Sequence, residues 1–497
     1  MIHARFRAAV GILACLVAVS RAAAGEDYDR YYKVLMDNQA AGWMRLQRVS
    51  EGDTVTTTRE MRFELARGEV KSTANMKTRF VETPAGKPVS MRSEMAMGAN
   101  PVVVEYTFGP ADVLVINNPE GSKKETRAPL PAGEWLTPSA AAQFVRKRLA
   151  GGAKEISYRT IDPLSGLGVE TITLSAITRD RLQVGDRALE GYRMKSASSG
   201  SPGVVGEDFV DLEGSLVSQT AGMGGLVVTT ILAGPEVVDQ KVEAPELMVS
   251  TFVRPDRPIM DARRVSKATF VLDYSSKDAP SVPETGSQTT TAADGQRLTV
   301  LVDASMPFEA PAKDWDNQAY RLPSALLTSE DPKVIELARR AVREIPEDQV
   351  HARAEAIRGA VHRHIRKKDL SIGFASAADT VASGQGDCTE HAVLLAAALR
   401  AAGIPSRVAG GLIYADQFAG SRDIFGYHMW AQALIQTDAG LRWVDLDATL
   451  DPPGYDATHL ALVTSAMSDD LAARELLGIA AAMGRLSISV VEVEHRR

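Results

Sequence analysis

Through the first half of the chain, apolar and polar positions alternate. Met61, Phe63 and Leu65 are separated by charged residues, the two-residue period of a strand with one buried face. Tyr31–Met36 and Trp43–Val49 predict two strands around a turn region at Asn38–Gly42. Further strands are expected at Pro101–Phe108, Val113–Ile116, Ile156–Thr160, Glu170–Leu174, Ala188–Met194, Glu207–Leu212 and Leu226–Leu232. One helix interrupts them at about 138–150. Thr137 stands at its cap, Pro138 suits the first turn, and Gly151–Gly152 stops it. Short strands with turn signals between them predict an antiparallel barrel or curved sheet. Strands, helix and strands again suggest two related halves, although no exact repeat is present.

Residues 233–330 are richer in proline and polar side chains. Ala268–Tyr274 and Arg297–Val302 read as strands around a long loop at Ser275–Asp294. From Asp331 the period changes to that of helices. Val334, Leu337, Ala338, Ala341 and Ile345 mark one apolar face, and Ile357, Val361 and Ile365 mark another. The basic cluster Arg363, Arg366, Lys367 and Lys368 reads as a solvated face on or after that second helix. A helical stretch after Asp470 and a β-branched run at Ile488–Val493 complete the C-terminal region. The expected class is α+β. A β-rich antiparallel domain spans 25–250, a small β module or linker spans 251–330, and a helix-and-sheet domain spans 331–497.

The first 24 residues stand apart. Arg5 and Arg7 precede an apolar run from Ala8 to Ser20, and Ala22–Ala24 offer a small-residue cleavage site. That order predicts a signal peptide and a periplasmic or secreted protein. The run is too short for a stable membrane span, and no later stretch qualifies. Cleavage after Ala24 removes three arginines and no acid, taking the formal net charge from −7 to −10. An acidic balance of this kind excludes a basic nucleic-acid binder. Cys15 would leave with the segment, so Cys388 would be the sole thiol and a disulfide scaffold is excluded.

The stretch GQGDCTEHAVLLAAALRAAGIPSRV, residues 384–408, carries the chemistry. Asp387 or Thr389 can cap a helix that runs to about Ala402, and Gly403 and Pro405 end it. Cys388 then lies in the first turn, with Leu395 and Leu399 on its face. Unpaired N–H groups and the helix dipole favour thiolate there, and thiolate is the nucleophile. The same N–H groups can receive an oxyanion.

A second stretch, FGYHMWAQALIQTDAGLRWVDLDATLDP at 425–452, reads as a strand, a turn at 438–440 and a returning strand. Counting outward from the turn sets His428 opposite Thr449 and Trp430 opposite Asp447. Asp447 is thus a diagonal neighbour of His428. Asp445 lies two residues further, about 6.6 Å away at the usual strand rise. Register therefore favours Asp447 as the carboxylate that orients the imidazole. Thiol, imidazole and carboxylate form a self-consistent nucleophile–base–orienter set.

GDCTEHAVLLAAALRAAGIPSRVAGGLIY, GYHMWAQA and WVDLDAT together resemble the transglutaminase-like superfamily, a branch of the papain-like thiol enzymes, over about 330–460. The resemblance implies Cys388 as nucleophile, His428 as base and Asp447 as third member. It also implies a cysteine-bearing helix packed on an antiparallel sheet. The implied activity is acyl transfer at an amide bond of a protein or peptide substrate, ending in hydrolysis or transamidation. There is neither an acidic calcium loop nor a tryptophan at a comparable distance upstream of the cysteine, so neither calcium nor another cofactor is implied. Gln385 is the only residue suggested as a second oxyanion donor.

Other chemistry reads less sharply. Cys388, His391 and His428 fit no standard zinc spacing, so no metal is expected. Met91, Met95 and Met97 suit a strand face better than a copper site. Glu390 and His391 are expected to anchor the cysteine helix, and His459 to help shape the cleft. The rival readings are a scaffold with a silent thiol, or a β-domain that carries lipid or peptide.

Overall fold

The structure is a computed structural model. It describes residues 27–67, 70–97, 101–117, 123–201, 204–223, 226–245, 249–275, 282–294, 296–305, 307–367, 375–438, 440–468 and 484–496. The expected signal peptide, Lys368 of the basic cluster and most of the helical stretch after Asp470 lie outside the described residues. The chain divides into two compact units between Glu246 and Leu247.

The N-terminal unit is a fourteen-stranded antiparallel sheet with one α-helix among its described residues. The first strand, Tyr28–Met36, sits inside the sheet between Gln39–Glu51 and Leu226–Ala233. From it the chain meanders outward to Lys124–Pro129 at one edge. It then passes through the helix Pro138–Ala150 to Ile156–Ile161 at the other edge and meanders back. Strand alternation buries Tyr32, Val34, Met36, Met44, Leu46, Met61 and Phe63 on one face. Of the three methionines considered for copper, Met91 is buried beside Phe80 and Ile161 in an apolar cluster.

The helix lies where its Pro138 start and Gly151 stop predict. Its Ala141, Val145 and Leu149 pack on Ile156, Tyr158, Ile172 and Met194. Thr137 precedes the helix, but its hydroxyl donates to buried Glu82 (2.7 Å) instead of capping the backbone. Glu82 accepts the Ser139 N–H (3.0 Å) in its place.

The turn expected at 38–42 is shorter. Asp37 and Asn38 take φ of 47° and 65°, and the next strand begins at Gln39. Asp and Asn tolerate this left-handed backbone, which matches the twist of a two-residue hairpin.

The C-terminal unit holds two four-stranded antiparallel sheets. One is ordered Gln288–Asp294, Arg297–Asp303, Val265–Tyr274, Leu486–His495. The other is ordered Gly440–Leu446, Ser421–Thr437, Ser406–Phe418, His459–Ser465. Residues 251–330 share a single core with the later elements: Phe270, Leu272 and Val300 join Val334, Ile357, Leu395 and Ile488. The expected long loop at 275–294 ends in a strand, Gln288–Asp294, whose threonine-rich sequence lacks the apolar alternation of a half-buried strand. Ile488–Val493 lies within the strand that closes the first sheet against Val265–Tyr274.

The helices Pro332–Val342, Val350–His364 and Ala377–Ser383 pack around Cys388–Ala401, which in turn packs on the second sheet. Every residue from Ala392 to Leu399 is buried, so this helix is enclosed on all sides instead of presenting one inward face. Among the described residues, no helix is long and apolar enough to cross a membrane.

Candidate active site

Cys388 is the first residue of its helix, and Asp387 is the N-cap. Asp387 Oδ1 accepts the Thr389 N–H at 2.8 Å, while Glu390 Oε2 accepts the Asp387 N–H at 2.9 Å. This reciprocal capping box fixes the helix start under the thiol. The other Glu390 oxygen accepts the Ala375 N–H (3.1 Å). Burial and the neighbouring Asp387 carboxylate raise Glu390 well above the usual carboxylate range. Gly386 is required here, because a Cβ would fall 2.3 Å from the Glu390 Cβ. His391 Nδ1 donates to the Asp387 carbonyl (2.6 Å), so Glu390 and His391 both anchor the helix, as their sequence positions suggest. Gln385 Oε1 accepts from Lys367 Nζ (3.3 Å).

His428 arrives from the neighbouring sheet. Its strand pairs with Gly440–Leu446 through Ala431↔Leu446 and Gln432↔Asp445, the register that counting from the turn predicts. His428 itself faces Gly411 on the other side. A Cβ at Gly411 would lie 1.9 Å from the Leu460 carbonyl oxygen, so only glycine permits the strand beyond to approach.

His428 Nε2 donates to Asp447 Oδ2 at 2.7 Å, and the Cys388 sulfur is near enough to the same imidazole to raise its pKa. The three sequence-predicted residues are therefore brought together in series. Cys388 is half-buried at the end of that series, whereas His428 and Asp447 are buried.

Burial disfavours charge on His428, but the Asp447 carboxylate and the Cys388 sulfur outweigh it and push its pKa up to about 10. Asp447 moves the opposite way. Burial would raise it, yet His428 and then His459 hold its carboxyl well below the usual range. Its Oδ1 accepts both the backbone N–H and the hydroxyl of Thr449, each at 2.7 Å.

Asp445, the competing carboxylate, serves another purpose. It accepts from Trp430 Nε1 (2.8 Å), Gln432 Nε2 (2.7 Å) and the Ser287 N–H (2.7 Å). Trp430 stacks beside the His428 ring with 6.2 Å between centroids and 18° between planes.

Sequence reasoning gave His459 only a part in shaping the cleft and missed Asp456. His459 Nε2 lies 3.3 Å from Asp447 Oδ2, and its Nδ1 donates to the Asp456 carbonyl (2.9 Å). A signal was present: Asp-Ala-Thr occurs at 447–449 and again at 456–458. In both copies the aspartate Oδ1 accepts the N–H and hydroxyl of the threonine two residues on.

His428, Asp447 and His459 also place one ligand atom each within 4.8 Å of the others, close enough for a metal ion to bridge. A metal there would need all three groups as deprotonated ligands, in place of the hydrogen bond that links His428 to the carboxylate.

Residues 335–448 match the family model of the transglutaminase-like superfamily, a span that contains Cys388, His428 and Asp447. A transglutaminase-like domain thus follows the β-rich region. The chain is also similar to solved structures. A β-barrel-like protein of a domain of unknown function from Brucella abortus is 12% identical, with 42% of this chain and 95% of that one covered and a TM-score of 0.33. A candidate cysteine protease from Cytophaga hutchinsonii is 18% identical, with 47% and 86% covered and a TM-score of 0.27. A candidate protease from Parabacteroides distasonis is 12% identical, with 74% and 69% covered and a TM-score of 0.18. No curated protein matches the chain.

Proposed function

We propose that the protein is a cysteine-nucleophile enzyme acting on amide bonds of peptides or proteins, with Cys388, His428 and Asp447 as its triad. The observation that carries this reading is the convergence on one imidazole: His428 Nε2 meets Asp447 Oδ2 at 2.7 Å, and the Cys388 sulfur at the helix start acts on the same ring. Its setting at a helix N-terminus favours thiolate.

In the proposed reaction the Cys388 sulfur adds to the amide carbonyl, forming a C–S bond. The carbonyl oxygen takes the negative charge next to the N–H groups of the first helical turn. The intermediate collapses by breaking the C–N bond, and the His428 imidazolium passes its proton to the departing amine. The thioester that remains is attacked by water, with His428 now taking the proton, and the acid is released. A second amine in place of water gives transamidation through the same thioester. Asp447 keeps the imidazole oriented and supports its positive form. The order of basic, apolar and small residues at 1–24 supports an exported protein, which N-terminal sequencing should find beginning at Gly25.

Alkylation by iodoacetamide tests the reading without knowledge of the substrate. An ordinary thiol has a pKa of about 8.5 and is almost entirely protonated at pH 5.5. If His428 activates Cys388, labelling at pH 5.5 should be at least about tenfold faster in the wild type than in the His428→Ala variant. Slow labelling that is indifferent to His428→Ala would favour the silent-thiol scaffold.

A further inference from the structure

We propose that His459 is a positioning residue for the triad: a buried imidazolium, protonated on both nitrogens, that shares Asp447 Oδ2 with His428 and so tunes how the Asp447–His428 pair acts on Cys388. This inference rests on the triad reading above and extends it to a fourth residue.

Both ring nitrogens of His459 face acceptors. Nδ1 meets the Asp456 carbonyl at 2.9 Å and Nε2 meets Asp447 Oδ2 at 3.3 Å. A neutral imidazole has one N–H and would leave one of these oxygens facing a lone pair. At 0% exposure no water shell is present to relieve that conflict.

The electrostatic setting agrees. Asp447 stands on one side and the Asp456 carboxylate on the other, the latter 3.7 Å from Nδ1. Asp456 Oδ2 is in turn paired with Arg263 Nη1 (2.8 Å), and its Oδ1 accepts the N–H and hydroxyl of Thr458. Two aromatic rings and His428 also lie against it. Tyr455 stacks at 4.4 Å between centroids, Trp430 meets the His459 ring edge-on at 5.1 Å, and the His428 ring is 5.7 Å away. The Tyr455 hydroxyl is directed to Ser287 and Asp445. Burial opposes charge on His459, but hydrogen bonds to Asp447 and Asp456 outweigh it and raise its pKa.

Arg263, Asp456, His459, Asp447 and His428 therefore form a row of alternating sign that ends beside Cys388. The consequence for the thiol follows from Coulomb's law. A positive ring near His428 makes a second proton on His428 less favourable and a thiolate more favourable. Sharing Asp447 Oδ2 between two donors has the same effect, because less of the carboxylate's pull falls on His428. Removing the His459 charge should raise the pKa of the thiol and of the imidazolium together, displacing both limbs of the thiol's pH profile upward.

The test is the pH–rate profile of Cys388 alkylation by iodoacetamide in the full chain, as wild type, His428→Ala and His459→Gln. The expected result is a His459→Gln profile moved up by about one pH unit, about tenfold slower on the acid limb. A purely structural role would lower amplitude or stability without moving the limbs. If the wild type depends on His428 but the His459→Gln profile superimposes on it or moves down, the role of His459 is wrong and the triad stands. If the wild type reacts as an ordinary thiol indifferent to His428→Ala, the triad reading fails and this inference with it. Should His459→Gln not fold, nitrogen NMR of the wild-type ring decides. Two protonated nitrogens at pH 7 support the proposal, and a neutral ring overturns it.

Discussion

Two buried aspartates, one in each unit, respond oppositely to the same desolvation. In the N-terminal sheet Asp208 is 0% exposed, and burial pushes it up to about 7 against hydrogen bonds from Ser196 and Gln219. In the C-terminal unit Asp447 is 1% exposed, yet two imidazoles hold it well below the usual range. Neutral partners leave burial in control, whereas cationic partners reverse it. The difference separates a sheet that tolerates a polar group from a site that keeps an ion in its interior.

Substituting each aspartate by asparagine breaks the comparison most forcefully. Asp447→Asn leaves two buried imidazoles without their carboxylate, and near neutral pH it should destabilise the C-terminal unit by about 3–5 kcal/mol. Asp208→Asn should do the reverse. A carboxyl whose folded pKa is raised costs stability increasingly as pH climbs from its unfolded value toward 7. That variant should therefore be more stable than wild type at pH 8 and indistinguishable from it at pH 3. Urea unfolding at the two pH values measures both effects.

Gly411→Ala probes the backbone that brings the His459 strand close. Its Cβ would strike the Leu460 carbonyl. A loss of about 1–3 kcal/mol is expected from overpacking, and thermal unfolding reads it.

The pH dependence of stability sharpens the same picture. The raised His428 pKa contributes stability that is fully present below about 6.5 and lost as pH rises through about 10. The depressed Asp447 pKa contributes stability that is present above the ordinary carboxylate range and lost as pH falls through its folded value. The C-terminal unit should accordingly be most stable between these limits, and the Asp447→Asn variant should lose both limbs.

The smallest effect is at the helix cap. Asp387→Ala removes the acceptor for Thr389 N–H and should cost about 1 kcal/mol, with slower alkylation of a less firmly held Cys388. Thermal unfolding and labelling rate check it together.

Much of this architecture was legible in the sequence for specific reasons. Pro138 suits a first helical turn and Gly152 takes the left-handed φ of 73° just past that helix, while Asp387 caps the other helix with its side chain and Gly403 stops it at φ 79°. The turn near Asp438 sets a register in which one count separates Asp447 from Asp445. Gln288–Asp294 was hidden because its threonines supply β-propensity without apolar alternation. Enclosure of the whole cysteine helix was hidden because it depends on three other helices closing over it. The His459–Asp456 extension was hidden because it arises from a third strand brought alongside at Gly411. Only the repeated Asp-Ala-Thr hinted at it.

The reading stands on a His428 ring that Asp447 and the nearby Cys388 sulfur keep protonated through neutrality. A pH titration of the ring nitrogens by NMR in the full chain, assigned by comparison with His428→Gln, tests it most directly. The account predicts that His428 keeps both protons through neutrality and releases one near pH 10, and that alkylating Cys388 lowers this midpoint. A midpoint at or below the ordinary histidine value of about 6.5, unmoved by alkylation, would contradict it.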